Sequence, residues 1–317
     1  MTTTCGAVSA CAVEPWRKRN TIWSYRRNGS KPCINGCSVR DSRPVRFPET
    51  SYGIVKRWQV IDAWTEAVAR RLGKSSLRVL DYGCGTGDHV TYPLACLGHQ
   101  ALGVDVHQES IEQAVRRYQS PTLSFRVADI DALVKDGARF DLVVCSEVLE
   151  HLHHPGKFLD TLTRVLEPGG GVIITTPNGY GSFEWLSSLH TVLARAGIHG
   201  LLRRVAHACS RSHEAGTTHG AEAEPVVPTT GFLNMDSTHV QFFRVGELER
   251  IFSESGFRIV ERRARTLLCG PYADVLFRLA PCEPAICRAN NRLADLLPFS
   301  WAADWMFLLE HRGAGAQ

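Results

Sequence analysis

The chain has 317 residues, of which 44% are hydrophobic and 21% charged, and its formal net charge is +4 at pH 7. This composition is ordinary for a globular protein and excludes wholesale disorder. No run of about 18 apolar residues occurs, so no transmembrane helix is expected. Residues 1–13 lack the basic start and long apolar stretch of a secretory signal.

The positive charge is concentrated at the start of the chain. Residues 1–50 carry nine Lys and Arg against three acids, a net charge of +6, which leaves −2 for the rest. The segment has no apolar periodicity. The sequence therefore predicts a basic, irregular arm over residues 1–50 and one large domain over residues 51–317.

The eleven cysteines are odd in number, and several lie inside apolar runs, such as Cys145 in FDLVVCSEVL. Cys33 and Cys37 have no matching second pair at the spacing of a zinc finger. We therefore expect reduced, mostly structural thiols and a cytoplasmic protein.

Predicted strands and helices alternate from residue 52 onward. The first helix is predicted from about Tyr52 to Leu72, because apolar residues recur there at spacings of three or four. Strands are then predicted at 77–83, 100–106, 123–130, 141–146 and 171–177, with helices at 88–97, 108–118 and 156–166. This alternation predicts a parallel sheet that is covered by helices on both faces.

The alternation stops after residue 178. Helices are predicted at 183–196 and 201–209, a polar loop at 210–230, a helix at 245–255, a strand at 257–264, a helical insertion at 271–297 and a last strand at 305–312. The segment 180–235 follows the carboxyl end of the fifth strand, where open α/β sheets bind ligands. It is therefore predicted to be a lid over the acceptor site.

A glycine-rich sequence follows the first strand: Asp81-Tyr82-Gly83-Cys84-Gly85-Thr86-Gly87. Alternate glycines allow a tight turn and the close approach of a ligand, and the next helix presents free N–H groups. Such a loop alone is equally compatible with a strand–helix turn that binds nothing.

Two more predicted strands end in acids at the same sheet edge. Asp105 follows Gly87 by 18 residues and could accept hydrogen bonds from a ribose diol. The third strand ends in Asp129 and Ile130. Together with the glycine loop, these residues predict a nucleoside ligand.

The loop pattern is G-x-G-x-G, whereas dinucleotide enzymes use G-x-G-x-x-G. The next residue is Asp88, and an acid at the start of a helix opposes a diphosphate but tolerates a cationic ligand. Asp81, ahead of the loop, acts in the same direction. The sequence therefore favours the ammonium-bearing tail of S-adenosylmethionine.

Acids and a histidine follow the fourth strand, in Ser146-Glu147-Val148-Leu149-Glu150-His151. If this segment is helical, Glu147, Glu150 and His151 share one face. They could then hold a divalent cation such as Mg²⁺ or Zn²⁺. Two alternatives stay open: His151 as a general base without metal, and a purely structural role for the segment.

The glycine loop, the two strand-end acids and the segment EPGGGVIITTPN together resemble the class I S-adenosylmethionine-dependent methyltransferases, over about residues 52–266. The resemblance implies an α/β fold with a Rossmann-like, seven-stranded methyltransferase sheet whose last strand is antiparallel. It also implies a set of cofactor residues: Asp81, Gly83, Gly85 and Gly87 for the methionine portion, Asp105 for the ribose, Asp129 and Ile130 for the adenine, and Ser146 beside the sulfonium.

The motif E-V-x-E-H after the fourth strand resembles the ubiquinone-biosynthesis O-methyltransferases and the small-RNA 3′-terminal 2′-O-methyltransferases. In those families the two Glu and the His are associated with a divalent metal, and a further His lies downstream. The resemblance implies that Glu147, Glu150, His151 and His239 bind a metal, with Glu150 and His151 as catalytic residues.

The expected activity is transfer of a methyl group from S-adenosylmethionine to a hydroxyl of a small or lipidic molecule. The alternatives are RNA 2′-O-methylation, which the basic arm favours, metal-independent methylation of carbon or nitrogen, and a non-catalytic nucleoside-binding protein. The basic, amphipathic stretch at 195–205 would allow contact with an anionic membrane surface.

Overall fold

The structure is a computed structural model that describes residues 47–182 and 239–313. In chain order its elements are α1 (Ile54–Leu72), β1 (Arg78–Tyr82), α2 (Thr91–Cys96), β2 (Gln100–Asp105), α3 (Gln108–Arg117), β3 (Leu123–Val127), α4 (Ile130–Lys135), β4 (Phe140–Ser146), α5 (Pro155–Leu162), β5 (Leu166–Pro177), α6 (Val245–Glu254), β6 (Phe257–Ala264), α7 (Pro271–Arg278), α8 (Glu283–Leu296) and β7 (Asp304–His311). Short 3₁₀ turns lie at Leu149–His151, Thr163–Val165 and Phe299–Trp301.

The seven strands form one sheet in the order β3-β2-β1-β4-β5-β7-β6. Strands β1 to β5 pair in parallel, whereas β7 is antiparallel to both β5 and β6. The predicted fold class, a Rossmann-like methyltransferase sheet with an antiparallel last strand, is confirmed.

Successive side chains of the central strands alternate between two hydrophobic layers. Val79 faces the layer that contains Trp64 of α1, and its neighbour Leu80 faces the layer that contains Phe158 of α5. Because both faces of the sheet are covered, the central strands are nearly uniform apolar runs, as expected for buried parallel strands.

The carboxyl ends of β1, β2 and β4 lie at one edge of the sheet. Because β7 is antiparallel, its first residue reaches the same edge, where Asp304 pairs with Pro177 at the end of β5. Helices α7 and α8 lie in the chain between the end of β6 and the start of β7. This edge therefore gathers the strand-end residues to which the sequence assigns function.

Several predicted boundaries need correction. Helix α2 begins at Thr91 rather than Asp88, because the turn after Gly87 takes up the intervening residues. Helix α5 ends at Leu162, and the glycines after Pro168 lie within β5, where a register shift relative to β4 accommodates them. Helix α4 was not predicted. The third strand ends at Val127, before the acid that caps α4.

Other predictions lie outside the described residues: the arm up to residue 46, the helices at 183–196 and 201–209, and all but the first residues of the lid at 180–235. In the part of the chain that the structure describes, no helix is both long enough and apolar enough to cross a membrane.

Candidate active site

The glycine loop turns sharply at the end of β1. Gly83, Gly85 and Gly87 all have positive φ, at 75°, 53° and 75°, a conformation that glycine adopts without the cost of a Cβ. A Cβ on Gly83 would lie 2.6 Å from Val148, and one on Gly87 would lie 2.5 Å from Phe125. Among the described residues, nothing lies within 4 Å of a Cβ on Gly85. Gly85 is therefore the loop position that is open to a ligand.

Asp105 at the end of β2 is tied to this loop. Its Oδ2 accepts a hydrogen bond from the backbone N–H of Gly85 at 2.8 Å, and its Oδ1 accepts one from the backbone N–H of His107 at 2.9 Å. Each carboxylate oxygen has two lone pairs. Asp105 therefore retains acceptor capacity for the hydroxyls of a ribose.

Asp81 is only 3% exposed and accepts a hydrogen bond from Oγ1 of Thr91 at 2.5 Å. Burial raises the pKa of Asp81 to about 6, although the Thr91 hydrogen bond acts in the opposite direction. The carboxylate thus joins the end of β1 to the start of α2, beneath the glycine loop.

Asp88 does not present the free negative charge that its position suggests. Its carboxylate pairs with Arg117 at 2.6 Å and also accepts hydrogen bonds from the hydroxyls of Thr86 and Tyr118. Because Arg117 compensates the acid, Asp88 repels a diphosphate less than its position in the sequence suggests.

Two residues beyond the end of β3, Asp129 caps α4, and its Oδ1 accepts a hydrogen bond from the backbone N–H of Ala132 at 2.8 Å. Ile130 is 8% exposed and packs in the core. Val106, directly after Asp105, is 70% exposed. This exposed apolar residue is not among the cofactor residues predicted from the sequence, although its position next to a strand-end acid could have identified it.

Ser146, at the end of β4, contacts Arg57, which is not among the site residues predicted from the sequence. Its Oγ lies 2.9 Å from Oγ1 of Thr175 and accepts a hydrogen bond from Arg57 of α1 at 3.3 Å. Burial, and then the charge of Arg265, lower the pKa of Arg57. No local sequence signal marks Arg57, which lies 89 positions from Ser146.

The condition under which Glu147, Glu150 and His151 would share a helical face is not met, because the segment is not an α-helix. Glu147 has a φ of 60°, in the left-handed region, and only a 3₁₀ turn over Leu149–His151 follows it. Its Oε1 accepts hydrogen bonds from Oγ1 of Thr175 at 2.6 Å and from Arg265 at 2.8 Å. Burial raises the pKa of Glu147, but Arg265 and then Arg57 outweigh it, so the pKa lies below its usual value.

Glu150, His151 and His239 do lie together, with one possible ligand atom from each within 4.8 Å of the others. The rings of the two histidines are 5.1 Å apart between centroids. The backbone N–H groups of Val240 and Gln241 donate to the carbonyl of Glu150 at 2.9 and 3.0 Å. These bonds hold His239 beside the 3₁₀ turn.

The chemistry of this cluster fits a cation. Glu150 is 1% exposed, and its Oε1 is buried without a hydrogen-bond partner, which is costly for a carboxylate. Burial, and then the charge of Glu147, raise the pKa of Glu150 well above its usual value. A divalent cation would satisfy the buried oxygen, and one carboxylate with two imidazoles is a donor set suited to Zn²⁺ or Mn²⁺.

Residues 57–262 match the family model of the methyltransferase domain. The chain is 39% identical over 105 residues to the ubiquinone biosynthesis O-methyltransferase of Caulobacter sp. (strain K31), a match that covers 32% of this chain and 41% of that protein. It is 38% identical over 110 residues to the mitochondrial ubiquinone biosynthesis O-methyltransferase of Mus musculus, covering 33% and 30%. The matches thus span less than half the length of these two relatives.

Among solved structures, the chain is similar to magnesium protoporphyrin IX methyltransferase from Synechocystis PCC 6803 with bound S-adenosylhomocysteine, at a TM-score of 0.43 and 16% identity over 81% of this chain and 84% of that one. It is also similar to an S-adenosylmethionine-dependent methyltransferase from Mesorhizobium loti, at a TM-score of 0.43 and 16% identity over 75% and 92%.

The family match covers more than half of the chain and includes the glycine loop, Asp105, Ser146 and Glu150. The order of the strands agrees with the class expected from the sequence. The chain therefore belongs to the methyltransferase domain family, and its sheet has the strand order expected for the class I S-adenosylmethionine-dependent methyltransferases.

Proposed function

We propose that this protein transfers the methyl group of S-adenosylmethionine to a hydroxyl of a small or lipidic acceptor, with the help of a divalent cation. The observation that carries the proposal is the cluster of Glu150, His151 and His239, because it contains a buried carboxylate oxygen without a partner. The cluster lies directly after β4, whose end carries Ser146.

The cofactor would be held by the loop and the strand ends. Gly85 allows its close approach, Asp105 accepts from the ribose hydroxyls, and exposed Val106 contacts one face of the adenine. Asp129 and Ile130 remain candidates for the adenine edge, and Ser146 for the sulfonium side. Gly83, Gly87 and buried Asp81 keep the loop in shape. When bound, the cofactor supplies a sulfonium methyl group that a nucleophile attacks in line.

Arg57 is the best candidate to bind the carboxylate of the methionine portion. Its guanidinium is an obligate donor with five N–H groups, and its hydrogen bond to Ser146 is long, at 3.3 Å. It pairs with Glu147 only at 4.0 Å. Arg57 therefore retains donor capacity beside the residue proposed to line the sulfonium side.

The acceptor hydroxyl must lose its proton as the new oxygen–carbon bond forms and the sulfur–carbon bond breaks. A divalent cation in the cluster would lower the pKa of a hydroxyl that contacts it, so that the proton could pass to water. Without a cation, His151 is the candidate base, and Glu150 would orient it. We propose the first route because a base alone does not satisfy the buried Oε1 of Glu150.

The class of acceptor follows from the relatives, two of which are named ubiquinone biosynthesis O-methyltransferases. An acceptor of that kind has a hydroxyl on a small or lipidic molecule, and peripheral contact with a membrane belongs to the same proposal.

We also propose a cytoplasmic location with reduced thiols. Buried Cys145 and Cys269 are free, and burial raises the pKa of both thiols.

The test uses the full chain, a labelled methyl donor and a metabolite extract, with and without EDTA. The proposal predicts that methyl transfer is lost in EDTA and recovers when Mn²⁺ or Zn²⁺ is added. It also predicts that methyl transfer is lost in Glu150→Gln and in His239→Ala. Full activity in EDTA with an inactive His151→Ala would favour the metal-free base instead.

The control is Glu109→Gln, which alters an exposed acid in the first turn of α3. Three other outcomes separate the alternatives. Labelled RNA would indicate a 2′-O-methyltransferase, label on carbon or nitrogen would indicate a metal-independent enzyme, and cofactor binding without any transfer would indicate a nucleoside-binding protein.

A further inference from the structure

We infer that Arg265 is a positioning residue that keeps Glu147 out of the metal centre, so that only Glu150, His151 and His239 ligate the cation. This inference rests on the proposed function, because it assumes that the cluster binds a cation. It departs from the E-V-x-E-H pattern, whose resemblance implies both glutamates as ligands.

Glu147 lies outside the group of possible ligands. The group of possible ligand atoms within 4.8 Å of one another includes Glu150, His151 and His239 but not Glu147. Oε1 of Glu147 already accepts hydrogen bonds from Thr175 at 2.6 Å and from Arg265 at 2.8 Å. Glu147 thus lies outside that group, and moving its carboxylate into the group would strain the charge-assisted bond between Oε1 and Arg265.

Arg265 is buried and is held in place by Asp304. Its side chain is 6% exposed, and its second terminal nitrogen pairs with Asp304 of β7 at 2.6 Å. Its backbone N–H also donates to the carbonyl of Asp304 at 3.0 Å. The planar guanidinium thus bridges two carboxylates from different elements, a geometry that lysine cannot reproduce.

The backbone of Glu147 has a left-handed conformation. Its φ of 60° is uncommon for a residue with a side chain, and such a conformation persists only where its surroundings hold it. The bonds from Arg265 and Thr175 are those surroundings. The turn that they hold leads directly into Leu149–His151, so Arg265 also fixes the approach of Glu150 and His151 to His239.

The consequence is a centre with three protein ligands. Catalytic metal sites commonly have three protein ligands and an open position for water or substrate. With Glu147 as a fourth ligand, that position would be filled. Glu147 instead remains beside the site as an anchored anion.

The test is the visible absorption spectrum of Co²⁺ bound at saturation to the full chain, which reports ligand number and geometry independently of affinity. Wild type, Glu147→Gln and Glu147→Ala are expected to give the same spectrum, whereas Glu150→Ala and His239→Ala change it. If the Glu147 variants change the spectrum as Glu150→Ala does, the inference is overturned although the cation site stands. If the wild type binds no Co²⁺, both the proposed cation and this inference fail.

Arg265 itself is tested by Arg265→Met, which releases Glu147. Its Co²⁺ spectrum is expected to shift, and the double variant Arg265→Met/Glu147→Ala is expected to return to the wild-type spectrum. Arg265→Lys should give an intermediate result. A wild-type spectrum in folded Arg265→Met would contradict the positioning role. If this variant does not fold, the Glu147 variants still decide the question.

Discussion

The carboxylate of Asp105 accepts a hydrogen bond from the backbone N–H of Gly85 at 2.8 Å, which joins the end of β2 to the glycine loop after β1. The second oxygen accepts from the N–H of His107, at the start of α3. One side chain therefore connects the two segments between which the nucleoside is proposed to bind. Both its structural and its proposed binding role depend on the two acceptor oxygens of this side chain.

Replacing Asp105 by alanine is expected to weaken S-adenosylhomocysteine binding by about 10- to 100-fold, because hydrogen bonds to a charged group contribute about 1.5–3 kcal/mol. Isothermal titration calorimetry measures the change. Asp105→Asn keeps the shape and should retain part of the affinity. Asp160→Ala, an exposed acid of α5, is the control. Unchanged affinity in Asp105→Ala would remove Asp105 from the cofactor site.

The glycine loop allows binding and folding to be separated. Gly85→Ala places a methyl group in open space at a φ of 53°, and Gly73→Ala does the same at the end of α1 at a φ of 63°. Each should lower the free energy of unfolding by about 1–2 kcal/mol, the cost of the left-handed conformation. Only Gly85→Ala should also weaken cofactor binding, by more than about tenfold.

Gly87→Ala completes this series, since its new Cβ would lie 2.5 Å from Phe125. It should destabilise the fold more than either Gly85→Ala or Gly73→Ala, because the overlap adds to the backbone cost. Urea denaturation and calorimetry on the three variants check both expectations. Equal cofactor affinity in Gly85→Ala and Gly73→Ala would show that the open face of the loop is not the binding surface.

Arg57→Met tests the residue proposed to bind the methionine carboxylate. The affinity for S-adenosylhomocysteine should fall by about 10- to 100-fold, since a lost bond to a charged group costs about 1.5–3 kcal/mol. Decarboxylated S-adenosylmethionine has no carboxylate for Arg57 to bind, so it should bind wild type and variant alike. The control is Arg70→Met, an exposed arginine on the same helix. If the decarboxylated cofactor lost the same affinity, Arg57 would act on the fold rather than on the carboxylate.

The sequence predicts well the features that depend on local pattern. Strand β6 occurs over the predicted residues, and the strand-end position of Asp105 follows from the end of an apolar run. The carboxylate of Glu147 is instead bound by Arg265, which is 118 positions away. Spacing alone left a shared helical face possible there, because it contains no information about that partner.

Arg57 shows the same limit. It lies on a correctly predicted amphipathic helix, but its contact with Ser146 depends on how α1 packs against the sheet. His239 was predicted from a resemblance. It lies beside Glu150 because the backbone N–H groups of Val240 and Gln241 donate to the carbonyl of Glu150. Tertiary packing, rather than local pattern, brings these residues together.

Asp62 makes the stability of the fold depend on pH. It lies on the buried face of α1 and is 7% exposed. Burial, and then the charge of Glu66, raise the pKa of Asp62 to about 6 from 3.8. Because the folded state holds the proton more tightly than the unfolded state, the ionised acid destabilises the fold above pH 6, and this cost disappears as the pH falls toward 4.

Asp62→Asn is therefore expected to raise the free energy of unfolding by about 2–3 kcal/mol at pH 8, since one pKa unit corresponds to about 1.4 kcal/mol. The gain should shrink at pH 5 and be nearly absent at pH 4. Urea denaturation at the three pH values measures it, with Asp160→Asn, an exposed acid in α5, as the control. If the free energy of unfolding rose by the same amount at pH 8 and pH 4, the introduced amide would stabilise the fold through packing. If it fell at pH 8, the ionised carboxylate of Asp62 would have a stabilising partner.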